Sequence, residues 1–337
     1  MSAPLTRRQF LTASAAGTLT VAAGFSTLDA PKRKALIAIT FDLEMSAEYP
    51  QRGMTEWNYR KGDLDSDTKK YAVGAAKVVK DRGGVMHLFA VGQTLEQEDV
   101  KWLKDLAAAG HAIGNHTYDH VNLMATKPDE IQYRFRRAPW LIRGKTVAEV
   151  LEENIASTTL ALKERCDITA NGFRTPGGFR NGLKERADLQ KMLLKQGFKW
   201  ASSLYPAHTC GKPKEQPGDA VYADIVKAQA AAQPFAYPSG LIEVPMSPVS
   251  DVTAFRTHYW KLDWFLKAIR LAVEEAIRTA GCFDFLAHPS CLLVEDPDFE
   301  IVKLICALVK DAGDKAAITD LGEFAARGKD VPQPKKE

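Results

Sequence analysis

The chain has 337 residues, 45% of them apolar and 26% charged, and carries a net charge of +3. That length allows one large domain or two, and the composition is that of a folded globular protein rather than a disordered or fibrous one. So small a net charge points to neither a nucleic-acid nor a membrane-surface partner. Beyond the N-terminus no apolar run approaches the roughly 18 residues of a membrane-spanning helix.

In chain order, Thr6-Arg-Arg-Gln-Phe-Leu11 comes first, followed by a weakly apolar run to Phe25. The Arg-Arg pair at this depth marks residues 1–30 as a twin-arginine export signal, which implies a periplasmic or secreted protein. Ala22-Ala-Gly24 and Leu28-Asp-Ala30 both offer small residues for the cut. An amphipathic helix beginning at Leu5–Leu11 is the plainer alternative.

Ala35–Phe41 is a continuous apolar run, the pattern of a strand buried on both faces. Residues 46–67 read as a long polar loop carrying Trp57 and Tyr59, and long loops in compact domains are often functional. A helix is expected over 68–82, ended by Gly83-Gly84, then a strand over 85–91. Val100, Leu103 and Leu106 form one stripe of a helix over 99–109, and His111–Ile113 is a short strand. Residues 127–145 are basic and irregular, with four arginines around Trp140. A long helix over 147–165, a strand over 171–174, a helix over 184–196 and a strand over 198–204 follow. Residues 205–239 hold five prolines and read as an excursion over the surface. Strands over 241–245, 283–288 and 316–319 alternate with helices over 259–279 and 299–310. Residues 331–337 read as a disordered charged tail.

Strands alternating with helices of ten or more residues imply βα units and a parallel sheet. About seven such units suit a closed or nearly closed, distorted (β/α) barrel over residues 31–330, with its chemistry at the C-terminal ends of the strands. Five cysteines, at 166, 210, 282, 291 and 306, show no C-x-x-C spacing. Most read as buried free thiols, although Cys282 and Cys291 flank one strand and its loop and can pair.

The chemistry-bearing residues fall at those strand ends. In Gly110-His-Ala-Ile-Gly-Asn-His-Thr-Tyr-Asp-His120, His116 and His120 are four residues apart. If the segment after Asn115 coils as a helix, both imidazoles share one face and can converge on one divalent metal. Asp42 and Glu44 are two residues apart at the end of the first strand, so alternation points both toward the barrel mouth. One can complete a His-His-acid site while the other acts as a base.

The His-containing stretch resembles the metal-binding box of the polysaccharide deacetylases, the NodB-homology carbohydrate esterases. Thr40-Phe-Asp-Leu-Glu44, Arg174-Thr-Pro-Gly-Gly178 and Leu286-Ala-His288 resemble further motifs of that family, in the same order. The resemblance implies a metal-dependent enzyme that removes N-acetyl groups from the amino sugars of a glycan. It implies a metal held by Glu44, His116 and His120, most simply Zn²⁺, with Co²⁺, Ni²⁺ or Mn²⁺ as other candidates. It implies Asp42 as base, Arg174 holding that acid, the Gly177 N–H in the oxyanion hole, and His288 as general acid. The chain departs from the family at Asp-Leu-Glu, which leaves open that Asp42 and Glu44 exchange roles. It departs again at Gly177, where an aromatic is usual, and at Ser203, where an acid that tunes the histidine is expected; Asp251 and Asp284 are the candidates to replace it. These departures keep two other readings in play: a related amidase acting on a small cyclic amide or a lipid-linked sugar, and a non-catalytic carbohydrate-binding barrel. Trp57, Tyr59 and Trp140, on loops leaving the catalytic strand ends, are expected to border the substrate cleft.

Overall fold

Alternation along the first strand decides the layout. In β1 (Ala35–Leu43), Ile37, Ile39 and Phe41 face outward into a helical layer, while Ala38, Thr40 and Asp42 face inward. Both sides are buried, as its continuous apolar character requires. The computed structural model describes residues 33–46, 49 and 59–332. The export signal, Trp57 and residues 333–337 lie outside them.

β1 is followed by α1 (Ser66–Lys80), β2 (His87–Ala90), α2 (Lys101–Ala108) and β3 (Ala112–Asn115). Two short helices, α3 (Pro128–Ile131) and α4 (Tyr133–Arg137), precede the long α5 (Val147–Cys166), whose N-terminus is closed by a capping box between Thr146 and Glu149. β4 (Phe173–Phe179), α6 (Ala187–Lys195), β5 (Trp200–Leu204), α7 (Asp219–Ala231), β6 (Phe235–Ala236) and β7 (Ile242–Glu243) come next. α8 (Leu262–Thr279), β8 (Cys282–Ala287), α9 (Pro289–Glu295), α10 (Glu300–Ala312), β9 (Ala316–Ile318) and α11 (Leu321–Gly328) complete the chain.

The strands form one sheet in the order β6-β7-β5-β4-β3-β2-β1-β8, with β9 also paired to β1. Seven strands on that path run parallel, and only β6 is antiparallel, against β7. β7 and β8 do not pair as strands. Instead the segment after β7 reaches β8 through Ser247, whose N–H donates to the Asp284 carbonyl at 3.3 Å and whose Oγ accepts from the Asp284 N–H at 2.8 Å. The result is the expected distorted (β/α) barrel, left incomplete at one seam. Among the described residues no helix is long and apolar enough to cross a membrane.

Two helical cores cover the outside. One joins α1, α8 and α10 to β1 and β8, and the other joins α5 and α6 to β4 and β5. Each fully buried Phe, such as Phe41, Phe173 or Phe285, contributes about 1.5–3 kcal/mol of burial. The inside is filled from below by Phe89, Trp200 and Val244, with Leu321 and Phe324 of α11 closing that end. His87 stands in this interior. Its Nε2 donates to the Asn171 carbonyl at 2.8 Å and its Nδ1 accepts from the Leu321 N–H at 3.2 Å; burial, helped by Arg174, lowers it to about 3 and keeps it neutral.

Three expectations need correction. The excursion over 205–239 contains the 13-residue α7, whose Tyr222 and Ile225 are buried against the outer core. The prolines lie at its flanks, where they do not break it. The tail's first residues are tied down: the Ala236 N–H donates to the Val331 carbonyl, and Pro332 bridges Ala236. All five cysteines are free and buried, so Cys282 and Cys291 do not pair.

Candidate active site

The open upper end of the barrel holds a cavity of about 340 Å³ lined by Asp42, Glu44, His116, His120, Gly177 and His288, among others. Asp42 is the next-to-last residue of β1, and Glu44 follows the strand in a bend where its N–H donates to the Asp42 carbonyl at 2.9 Å. Both carboxylates reach the cavity, as alternation predicts.

The two histidines arrive by a route the sequence did not suggest. Residues 116–120 are not helical: Thr117 and His120 adopt left-handed backbone, with φ of 59° and 57°. Side chains replace the helical ladder. Asn115 Oδ1 accepts from the Thr117 N–H at 2.8 Å, Thr117 Oγ1 from the Val121 N–H at 3.1 Å, and Asn154 Oδ1 from the Asp119 N–H at 2.8 Å. Left-handed backbone at β-branched Thr117 costs about 1–3 kcal/mol, which these bonds and the surrounding packing must offset. The outcome is still convergence, with imidazole centroids 5.1 Å apart.

His116 Nδ1 lies 3.0 Å from the Arg174 carbonyl, so Nδ1 carries the proton and Nε2 presents a lone pair. That Nε2 is buried without a hydrogen-bond partner, and so is Glu44 Oε2, 3.7 Å away. His120 Nε2 contacts the same Glu44 oxygen. Burial lowers His120 to about 4, against the pull of the Glu44 carboxylate. Burial would raise Glu44, but His120 and Lys61 hold it well below the usual carboxylate range. One ligand atom from each of Glu44, His116 and His120 lies within 4.8 Å of the others. Two imidazoles and one carboxylate, converging on one point, are a donor set that fits a divalent metal ion.

Arg174 is fully buried at the start of β4, its guanidinium carbon 4.4 Å from the Phe89 ring centroid. It donates to Asp42 Oδ1 at 3.2 Å, to Thr40 Oγ1 at 2.7 Å, and to Asp284. Asp42 Oδ2 is thereby left facing His116 Nε2, 3.6 Å away, and His288 Nε2, 4.0 Å away. Burial still raises Asp284 despite its arginine partner.

His288 leads from β8 into α9. Its Nδ1 lies 2.9 Å from Asp251 Oδ1, and its N–H donates to Asp251 Oδ2 at 2.7 Å. Burial works against its protonation, but the Asp251 carboxylate, with Glu44 and Asp42 beyond it, raises it to about 9. The histidine's partner is therefore Asp251, while Asp284 serves Arg174. Ser203 faces elsewhere: its N–H and hydroxyl both donate to the buried carboxylate of Glu243.

Gly177 sits in the cavity wall at a φ of +76°, a backbone that L side chains rarely adopt; a Cβ there would meet nothing within 4 Å. Conformation rather than space therefore favours glycine where the family resemblance leads one to expect an aromatic. Lys61, which no sequence pattern singled out, is buried in the same cavity with Nζ 3.0 Å from Glu44 Oε1.

Neither Tyr59 nor Trp140 lines this cavity. Tyr59 lines a separate polar cleft with Arg60, Gln93, Glu96 and Arg134, and Arg137 lies over its ring at 5.6 Å. Trp140 stands on a turn over Pro139–Ile142 and is 63% exposed. Of the nearby arginines, Arg134 pairs with Asp119, and Arg136 and Arg137 lie over the Tyr133 ring.

A family model described as polysaccharide deacetylase matches residues 29–192. No curated protein matches the sequence. Among solved structures, a Mycobacterium smegmatis protein assigned as a polysaccharide deacetylase is 17% identical, with a TM-score of 0.60 over 92% of this chain and 96% of its own. A family 4 carbohydrate esterase pseudoenzyme from Bacillus anthracis is 11% identical, with a TM-score of 0.45 over 87% of this chain and 66% of its own. A polysaccharide deacetylase from Bacillus cereus is 13% identical, with a TM-score of 0.42 over 86% of this chain and 92% of its own.

Proposed function

Because a polysaccharide deacetylase family model matches residues 29–192, we propose that this chain is a metal-dependent hydrolase removing N-acetyl groups from the amino sugars of a glycan. The observation that carries this reading is the convergence of Glu44 Oε2, His116 Nε2 and His120 Nε2 beside Asp42 and His288, with His116 Nε2 buried without a hydrogen-bond partner.

Glu44, His116 and His120 would hold the ion; Zn²⁺ suits this donor set, and Co²⁺, Ni²⁺ or Mn²⁺ could replace it. When bound, such an ion lowers the pKa of water and polarises the amide carbonyl. Asp42, its Oδ1 fixed by Arg174, turns Oδ2 into the cavity and takes the proton of the attacking water. The Gly177 N–H donates to the oxyanion that forms on the acetyl carbonyl. His288, held in its protonated form by Asp251, gives a proton to the amide nitrogen as the C–N bond breaks. Acetate and the free amino sugar leave. Export through the signal at residues 1–30 belongs to the same proposal, and retention of an Arg7→Lys, Arg8→Lys double variant inside the cell is its test.

A second reading, hydrolysis of a small cyclic amide or a lipid-linked acylamino sugar, draws on Gly177, whose missing side chain leaves that wall open. The non-catalytic reading rested on Ser203 and loses its motive once Asp251 partners His288. The deciding experiment measures acetate release from N-acetylglucosamine oligomers and ring opening of cyclic imides, with metal content by plasma mass spectrometry. Acetate release that a chelator abolishes and Zn²⁺ restores supports the first reading. Imide hydrolysis alone supports the second, and turnover indifferent to metal removal sinks both.

A further inference from the structure

Among the described residues two cations outside the machinery described above line the cavity, Lys61 and Arg256, and of these Lys61 reaches the metal-ligand candidates. Lys61 is 8% exposed, and its ammonium lies 3.0 Å from Glu44 Oε1. Its backbone is fixed on both sides. The Lys61 carbonyl accepts from the Met45 N–H at 2.8 Å, one residue beyond Glu44, and the Gly62 carbonyl accepts from Thr94 Oγ1 at 3.0 Å. A Cβ at Gly62 would lie 2.6 Å from Gln93 Cβ and 2.8 Å from the Thr94 nitrogen, so the loop can dock this closely only with glycine next to the lysine. This loop is thus built to deliver Lys61 to Glu44.

The two oxygens of Glu44 are treated differently. Oε1 has the Lys61 ammonium, whereas Oε2 is buried without a hydrogen-bond partner and faces the two histidines. Glu44 stands past the end of β1, and a glutamate has one more rotatable bond than an aspartate. Left alone, its carboxylate could rotate to offer either oxygen or both. A charge-assisted hydrogen bond to one oxygen removes that freedom.

We propose that Lys61 is a positioning residue for Glu44: by holding Oε1 it presents Oε2 alone to the metal centre, so that the Asp-Leu-Glu arrangement binds the ion through a single oxygen. The inference rests on the metal-centre reading given above. Partners of metal ligands outside the ligand set typically govern affinity by about 10–100-fold.

The test titrates metal-stripped full-length protein with Zn²⁺ against a chromophoric chelator, and with Co²⁺ while recording its visible absorption, which reports coordination number. Wild type, Lys61→Met and Lys61→Arg are compared, each with a melting curve to confirm folding. The expected result is Zn²⁺ binding weakened about 10–100-fold in Lys61→Met, a Co²⁺ spectrum shifted toward higher coordination, and partial recovery of both in Lys61→Arg. Unchanged affinity and spectrum in Lys61→Met would overturn the proposal while leaving the metal centre standing. Tighter binding would also overturn it, because Lys61 would then act only as a charge repelling the ion. Wild type that binds neither ion would remove the metal centre itself, and the proposal with it.

Discussion

The two walls of the cavity are finished to different degrees. On the β1–β3 wall, Glu44 and His116 keep buried polar atoms without partners, and the chain accepts left-handed backbone at Thr117 and His120 to bring the imidazoles together. On the β7–β8 wall, Asp251 accepts from His288 through both its ring and its N–H, and from the Val252 N–H at 2.7 Å. A folded protein rarely leaves buried lone pairs unsatisfied, since each costs about 1–3 kcal/mol. A metal ion, as proposed, would satisfy the first wall, whereas in the same proposal the second needs only a proton. In the proposed function one wall binds and the other delivers, and the difference can be broken one side at a time.

The largest effect is expected on the binding wall. His116→Ala removes one of three ligand atoms and should abolish stoichiometric Zn²⁺ binding and reduce turnover at least as far as Asp42→Asn, on the order of 10²–10⁴-fold. Asp42→Asn should lose that activity while still binding Zn²⁺, because Asp42 is not among the three converging ligands. Metal content and acetate release measured together separate the pair; loss of Zn²⁺ in Asp42→Asn would instead show that Asp42 and Glu44 exchange roles.

On the delivering wall the effect is smaller and depends on pH. His288 must be protonated to act as an acid, and its folded pKa of about 9, set against burial by the Asp251 charge, keeps it so through neutral pH. Removing that charge in Asp251→Asn lowers the His288 pKa. The basic limb of kcat/KM should therefore move to lower pH, with a loss on the order of 10-fold at neutral pH and unchanged Zn²⁺ content. A proportional loss at every pH, with the limb in place, would contradict proton delivery by His288.

How much of this was legible follows from how far each signal reaches along the chain. The apolar run of β1 and the stripes of the helices are local patterns, so the barrel could be read from periodicity alone. Asp42 and Glu44 were legible from strand alternation and His116 and His120 from their spacing, whereas His288 stood out only through its place in the order of the family-like motifs. The condition attached to the histidine pair, that the segment after Asn115 coils as a helix, is not met, and Asn115 and Thr117, both side chains that compete with the helical ladder, are the local reason. Asp251 lies 37 residues before His288 on a different loop, and nothing local marks it as the partner; only the packing of that loop against β8 does so. Lys61 was invisible for the same reason, being one lysine in a polar loop until the fold sets it against Glu44.

The smallest effect concerns the rim. Trp140 was expected beside the cavity, yet it is 63% exposed and does not line it, with Leu141 beside it 43% exposed. An exposed indole contributes little to folding, so Trp140→Ala should change stability by no more than about 0.5 kcal/mol. A minimal N-acetyl substrate fills only the cavity and should be turned over normally. A long glycan can extend over the surface, and an aromatic stacking contact is worth about 0.5–1.5 kcal/mol, so KM for an oligomer should rise by about tenfold or less. Kinetics on both substrates, with a melting curve for each protein, check this. An equal loss on the short and long substrates would place Trp140 within reach of the reacting centre, and a large drop in melting temperature would make it an anchor for the turn over Pro139–Ile142.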